Sequence, residues 1–525
     1  MRVLILLLLF TSTTGVAFAE TRRVPRDHQT IQSAINESQP GDIVLVSPGT
    51  YREHLRLSTG ITLRSDGGSA RTADGLKRAK VTIIDGGKSA KHSGVVMAED
   101  STLDGFTITN VGLYDEALWK QHFESHGEEL GDDEGSVQAE GTNAAISIQG
   151  VNCTVVHCIV HHNGDVGIGV LGDEDATVRP LISDSIVFRN MGGGIGVADG
   201  AEPVIRGNTC KENMRAGIGC RNANPIITKN LCFQNIRAGI GCREGAKPVI
   251  RGNKCYQNRR AGIGIRMKGT SPVVEANECF ENAMAGIGCR NGASPIVRNN
   301  TCSKNKMAGI GCREGATPLI VGNECRSNQM AGIGVERKAV ALIHGNKCLD
   351  NKLVAIGVIG ASTATIINNE LSRNGGMPPL IAMKDGSRGT LRNNRITGGG
   401  VAAVLVQGEA KISDNTFIGL GAKQGNAVWV WEDSTATISD NSFTGYRTAV
   451  NSKKATVVIS GNTVQQFQGT AIMVTDSRKP AHIYRNTAIS VEPKARAVEL
   501  QGATGIVEGN VLKKSDRSDR KGDAR

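Results

Sequence analysis

The chain has 525 residues, with 61 lysines and arginines against 50 aspartates and glutamates and a formal net charge of +11. Aromatic residues make up 3% of it, too few for the base-stacking platforms that single-stranded nucleic acid requires. After the first segment, no stretch is apolar and long enough to span a bilayer.

Met1-Arg-Val-Leu-Ile-Leu-Leu-Leu-Leu-Phe10 and the following Ala17-Phe18-Ala19 combine a basic start, a short apolar run and a small-x-small cleavage site. That pattern predicts a signal peptide over 1–19, a mature chain starting near Glu20, and a secreted or periplasmic location. Val111 to Asn143 interrupts the pattern that follows, as an inserted loop just before Ala145-Ile-Ser-Ile148. It holds Tyr114, Trp119, His122, Phe123 and His126 with nine acids, among them Glu128, Glu129, Asp132, Asp133 and Glu134. Its aromatics suit sugar rings and its acids suit Ca²⁺; a lid over the neighbouring face and a merely disordered acidic loop stand beside those readings. His157, His161, His162 and Asp165 follow within a short span, at a spacing that matches no standard zinc signature.

From Asn163 to Asn374 one phrase recurs, as in Asn208-Thr-Cys-Lys-Glu-Asn213-Met-Arg-Ala-Gly-Ile-Gly-Cys220-Arg221. Its second asparagine falls at 163, 190, 213, 235, 258, 282, 305, 328, 351 and 374, a period of about 23 residues, which means a stacked repeat and overrides a multi-domain prior from length. Ile218-Gly-Cys-Arg221 alternates apolar and non-apolar, and Pro248-Val-Ile-Arg251 is short and β-branched, with Gly, Asn and Pro between. These are strands and turns. Three strands and three turns per period make one coil of a parallel β-helix, with stacked asparagines hydrogen-bonding along their column.

Cysteines occupy two columns, 210, 232, 255, 279, 302, 325 and 348, and 220, 242, 289 and 312. Val197, Ile265 and Val335 share the second column's slot, so both read as buried packing thiols, not disulfides or ligands. Strict alternation then puts Gly217/Gly219, Gly239/Gly241, Gly262/Gly264, Gly286/Gly288, Gly309/Gly311 and Gly332/Gly334 outward as the floor of a trough. One wall is Arg221, Arg243, Arg266, Arg290 and Arg313; the other is Arg215, Arg237 and Arg260, continued by Met284, Met307 and Met330. Guanidinium walls suit carboxylate or sulfate, although Glu244 and Glu314 stand close enough in sequence to neutralise part of them. No carboxylate falls at the outward strand positions between Arg215 and Arg313, so the acid pair of a glycosidase is missing there. β-Elimination from a uronate needs a cation and a base, for which Lys268 is the candidate. Lys513 to Arg525 lacks apolar residues, and 511–525 is predicted to be a disordered basic tail.

The repeat resembles the right-handed parallel β-helix, or pectin-lyase-like, proteins over nearly all of the mature chain. Gln29-Thr-Ile-Gln-Ser-Ala-Ile35 and Pro40-Gly-Asp-Ile-Val-Leu-Val-Ser-Pro-Gly-Thr-Tyr51-Arg-Glu53 are similar to the opening of many of them. The resemblance implies an N-terminal cap over 20–42, with a helix near Thr30–Ser38 whose apolar face is Ile31, Ala34 and Ile35, and an all-β solenoid over 43–510. Gly49-Thr-Tyr-Arg-Glu53 is also similar to the first motif of pectin methylesterases, but the later motifs of that family, and those of polygalacturonases and alginate epimerases, are missing. Three functions compete: an exported protein that binds an acidic polysaccharide and cleaves it, if at all, by β-elimination; a non-catalytic envelope scaffold; and copper handling. The last follows from a resemblance in repeat character to periplasmic β-helix proteins of copper-site maturation, for which Met284, Met307 and Met330 are an outward soft-ligand column.

Overall fold

Each period folds into one coil of three short strands because its turn residues fall at three fixed places. Ile195–Ala198, Val204–Arg206 and Thr209–Lys211 make one coil. Ile218–Arg221, Ile226–Thr228 and Leu231–Phe233 make the next. The two pair in parallel and in register, Ile195 with Ile218, Val204 with Ile226 and Thr209 with Leu231. The structure, a computed structural model, describes residues 19–67, 74–125, 143–421 and 425–515. Over these residues the chain is a right-handed parallel β-helix whose strands stack into three sheets along its length.

The core is a tube of columns: Ile218, Ile240, Ile263, Ile287, Ile310 and Ile333 are all fully buried. Helix α1 (Ile31–Glu37) closes the N-terminal end, with Ile31, Ala34 and Ile35 turned onto the core and Thr30 as its N-cap. The Glu53 carboxylate accepts from the Ile31 and Gln32 N–H groups at 3.0 Å each, so the helix start is bound to the first coil. The sheet begins before this cap, since Thr21–Val24 pairs with Ile43–Val46. At the other end Val511–Lys514 pairs with Thr487–Ser490, so the β-structure continues past 510 into the segment expected to be a disordered tail; 516–525 lie outside the described residues. Two further helices are α2 (Gly75–Ala79) and α3 (Glu116–Glu124), the latter inside the 111–143 insertion.

Two asparagine ladders pin the turns. Asn163, Asn190, Asn213, Asn235, Asn258, Asn282, Asn305, Asn328 and Asn351 pass Nδ2–H to Oδ1 along the column at 2.9–3.1 Å. Each is preceded by a left-handed residue, His162 through Asp350, with φ between 49° and 55°. That conformation is unfavourable for non-glycine residues, and the ladder's buried amides offset it. Asn374 does not join. It is exposed, and the Arg373 guanidinium takes over at the ladder's end, donating to the carbonyls of Leu353 at 2.7 Å, Gly375 at 2.9 Å and Pro378. The second ladder is longer, running from Asn208 to Asn510 with links of 2.8–3.1 Å.

All thirteen cysteines are buried, and none is in a disulfide. Cys210, Cys232, Cys255, Cys279, Cys302, Cys325 and Cys348 pair coil to coil in one inward column. The Cys210 thiol is raised above its ordinary range by its hydrogen bond to Cys232 and by burial. Cys158, outside the column, is pushed by burial to about 12. Neutral thiols of this kind pack as small hydrophobes and are poor nucleophiles.

The glycine floor needs correction. Gly217, Gly239, Gly262, Gly286, Gly309 and Gly332 face inward. A Cβ on Gly286 would lie 2.8 Å from Asn305 Nδ2, 2.8 Å from the Gly309 carbonyl and 3.1 Å from Cys302 Cβ. Alternation breaks at this corner, where Gly217 and Ile218 are buried in succession. The outward columns are therefore alanine and glycine, Ala216 with Gly219 and their equivalents up the stack.

Candidate functional site

The outward residues of the sheet through Ile218–Arg221 form a trough enclosing about 750 Å³. Ala216, Ala238, Ala261, Ala285, Ala308 and Ala331 line its floor with Gly219, Gly241, Gly264, Gly288, Gly311 and Gly334. All eight arginines singled out from the sequence line it: Arg221, Arg243, Arg266, Arg290 and Arg313 on one side, Arg215, Arg237 and Arg260 on the other. Arg221 stacks in register on Arg243 and Arg266 on Arg290, while the coil after Arg313 presents Glu336. Arg237 is only 4% exposed, so it is an enclosed cation in its wall, unlike the half-buried Arg215 and Arg260. Asp165 and Glu336 are the carboxylates that line the trough among the described residues, one toward each end.

Counter-charges lie against one wall. Arg221 meets Asp199 at 3.5 Å and Arg243 meets Glu244 at 3.4 Å. Glu314 instead turns to Arg337, at 3.2 Å, on the next coil. These pairs are partly exposed, and each is worth at most about 1 kcal/mol.

The groups considered for chemistry are only partly brought together. Lys268 is exposed on the turn after Arg266 and does not line the trough, so it is no base for a ligand there. His157 stands apart, its Nδ1 at 2.9 Å from Asp104 Oδ1. His161 and His162 do meet, with Nδ1 atoms 2.7 Å apart. His161 stacks on Phe188 at 4.8 Å, and burial followed by repulsion from His162 lowers its pKa to about 4. His162 packs edge-on against Tyr114 and is also lowered, by burial first and then by Arg189. Among the described residues no group of three His, Cys, Asp or Glu side chains is placed to hold a metal ion. His126, Glu128, Glu129, Asp132, Asp133 and Glu134, and with them the Ca²⁺ reading, lie outside the described residues.

Helix α3 docks beside the trough. Trp119 packs with Met214 and Ile236, each one residue before an arginine of the wall, and its Nε1–H donates to the Glu212 carbonyl at 2.8 Å. The Arg189 guanidinium lies 4.3 Å from the Trp119 ring and that of Arg259 lies 4.1 Å from Phe123, which are cation–π distances. Asp115 caps the helix by accepting from the Leu118 N–H. Nothing in the repeat forecasts this helix.

A second feature escaped the sequence reading. On the sheet through Thr209–Lys211, outward side chains form a column His161, Phe188, Lys211, Phe233, Tyr256 and Phe280. Phe233 stacks on Tyr256 at 4.8 Å and Tyr256 on Phe280 at 4.9 Å. The signal was present, since Phe233, Tyr256 and Phe280 each follow a cysteine of the long column.

Comparison with known proteins agrees with this architecture. The family described as right handed beta helix region matches residues 174–324 and 308–443. The family described as periplasmic copper-binding protein (NosD) matches residues 391–518. No curated protein sequence matches. Similar solved structures include the catalytic unit of a GH87 alpha-1,3-glucanase from Streptomyces thermodiastaticus, at 13% identity over 68% of this chain and 64% of that one, TM-score 0.44. The chain thus spans less than two thirds of that protein's length. The periplasmic alginate epimerase AlgG is similar at 13% identity over 70% of this chain and 81% of its own, TM-score 0.33. Gene product 12 of bacteriophage phi29 is similar at 11% identity over 92% and 71%, TM-score 0.43. Such identities show the fold alone. With matches that together run from 174 to 443, and with three parallel strands per coil, the chain belongs to the right-handed β-helix family.

Proposed function

We propose that this is an exported protein, secreted or periplasmic, that binds an acidic polysaccharide lengthwise along the arginine-walled trough. The observation that carries the reading is arginine placed over arginine at coil spacing, about 4.8 Å, in a concave face. Five such levels, Arg221 to Arg313, span roughly 19 Å and match a ligand that repeats its negative charge along its length. Among the described residues, Asp165 and Glu336 are the carboxylates that line the trough, one toward each end, so the central arginines are a binding surface in this reading. β-Elimination is the reaction class their charge would assist. Among the described residues no helix is long and apolar enough to cross a membrane.

The match to a periplasmic copper-binding family gives a second reading. The matched segment 391–518 contains no cysteine, one methionine, Met473, and one histidine, His482. A copper site there would be poor in soft ligands, which favours the trough.

The test is binding of polygalacturonate by calorimetry at low and at physiological salt, with ultraviolet absorbance followed for unsaturated products. Exposed charge contacts are screened over about 8–10 Å at physiological ionic strength, so affinity should fall as salt rises. The combined Arg243→Gln, Arg266→Gln, Arg290→Gln variant should bind at least tenfold more weakly while its circular dichroism is unchanged. Equal binding by variant and parent would refute the reading.

A further inference from the structure

The trough changes character where its sheet continues past the arginines. At the floor position of Gly219 the register carries glycine through seven levels, ending at Gly357. Ala382, Leu405 and Trp429 follow on the next three coils. The wall column ends in the same way. Trp431 comes directly after Val430, which stands in register with Val406, Met383, Val358 and Val335. It therefore holds the place that Glu336 holds four coils earlier and Arg313 five, about 24 Å from Arg313 along the axis. Two of the chain's three tryptophans thus stand together on the outward face into which the trough runs.

Neither ring serves the core. Their inward neighbours Val428 and Val430 are fully buried, while both indoles are half-buried on the opposite face. The ring centroids lie 4.6 Å apart with the planes at 69°, so the pair presents a corner and not a flat plate. The Trp429 Nε1–H is enclosed without a hydrogen-bond acceptor, a cost that a leucine, as at 405 one coil before, would spare the fold. Cations flank the pair along the wall column. Lys384, two coils before Trp431, is exposed at the end of the trough, and Lys453 Nζ, one coil after it, lies 5.9 Å from its ring.

Building on the polysaccharide-binding reading, we infer that Trp429 and Trp431 form a second sugar subsite, on which a pyranose unit of the same bound glycan stacks once the chain has passed the arginines. A pyranose ring has a face of C–H groups and a rim of hydroxyls. The face loses apolar area from water on an indole, the rim stays solvated, and a carboxylate on the rim has Lys384 and Lys453 within the same column. One continuous ligand follows from place, since arginines and tryptophans share columns on one sheet face along the axis of the helix. The subsite acts through ring contact, so its share of the affinity is not screened by salt as the arginine share is.

The experiment titrates the full exported protein with polygalacturonate by calorimetry at low and at physiological salt, and follows tryptophan emission in the same samples. The Trp429→Ala, Trp431→Ala variant should bind at least fivefold more weakly than the parent, with that ratio constant within twofold at the two salt concentrations. The Trp429→Phe, Trp431→Phe variant, which keeps the ring faces, should stay within threefold of the parent. Saturation should shift the parent's emission to the blue, a shift lost in the alanine variant, where Trp119 alone remains. Binding by a folded alanine variant within twofold of the parent, or parent emission unchanged at saturation, overturns the inference and leaves binding along the arginines standing. If the alanine variant does not fold, the emission of the parent decides alone. Failure of the parent to bind polygalacturonate overturns both readings.

Discussion

Asn282 sits in the middle of the shorter ladder and is fully buried, so its removal measures what the ladder contributes. Its Oδ1 accepts from the Asn258 backbone N–H at 3.1 Å and from Asn258 Nδ2–H at 3.0 Å. Its Nδ2–H groups go to the Cys255 carbonyl and to Asn305 Oδ1, both at 3.0 Å. Asn282→Ala leaves both Asn258 donors without their acceptor in a site closed to water. An orphaned buried donor costs about 1–3 kcal/mol, so two of them cost about 2–6 kcal/mol, and the space left behind adds to it. Asn305 Oδ1 keeps the backbone N–H of residue 282, at 3.1 Å in the parent, which limits the loss to roughly 3–5 kcal/mol. Asn374→Ala is the control. That asparagine is exposed and outside the ladder, and its change should cost within about 0.5 kcal/mol. Urea unfolding followed by circular dichroism gives both values, and hydrogen exchange of the Asn258 amide reports the local effect. A loss below about 1 kcal/mol for Asn282→Ala would mean that the ladder is geometry without energy.

Gly286→Ala places a methyl 2.8 Å from a carbonyl oxygen and should destabilise by about 2 kcal/mol or more, whereas Gly288→Ala meets Ala261 Cβ at 3.8 Å and Ala285 Cβ at 3.9 Å, ordinary contacts, and should be near neutral; urea midpoints of the two variants decide it. His161, lowered to about 4 by burial, binds its proton more readily in the unfolded chain. Stability should therefore be full above the unfolded value of about 6.5 and fall as pH drops toward 4, by on the order of 3 kcal/mol. His161→Phe, which keeps the stack on Phe188, should flatten that part of the pH profile. Trp119→Ala removes the contacts to Met214, Ile236 and Arg189 that hold α3. Trypsin should then cut at Lys120 at least tenfold faster, with the urea midpoint of the solenoid nearly unchanged.

The solenoid was readable because stacking copies one residue's environment onto the next coil. Once Cys220, Val197 and Ile265 share a slot, the slot is inward, and the register shows the same for the whole column. That logic ends where a residue leaves its column. Gly217 faces inward because alternation does not survive the corner before Ile218. Asn374 leaves the ladder because Gly375, Gly376 and Pro378 follow it and open the turn. Helix α3 has no repeat partner to lend it periodicity. It is fixed by Trp119 reaching Glu212, a contact 93 residues away. The trough itself was legible, since all eight arginines line it. Which of them is enclosed, as Arg237 is, depends on neighbours from other elements.

Electrostatics on the other two faces shows why the arginine columns need an explanation. On the sheet after the trough, Glu275 lies between Arg251 and Arg298 in register and bonds both, at 2.8 and 3.2 Å. On the third sheet Lys254 pairs with Glu278 at 3.2 Å and Lys347 with Glu370 at 3.8 Å, again one coil apart. A repeat built by duplication can thus alternate sign up a column, and this one does so on both other faces. In the trough it puts Arg221 on Arg243 and Arg266 on Arg290, a like-charge contact that costs about 1 kcal/mol per pair even at the dielectric of water. Folding alone favours the alternating solution, which needs only a glutamate at every second coil. The departure falls on the walls of the trough, which is floored with alanine and glycine and bordered by α3. A column of cations stacked at coil spacing, in a groove shaped to admit a chain, suits a repeating anionic ligand.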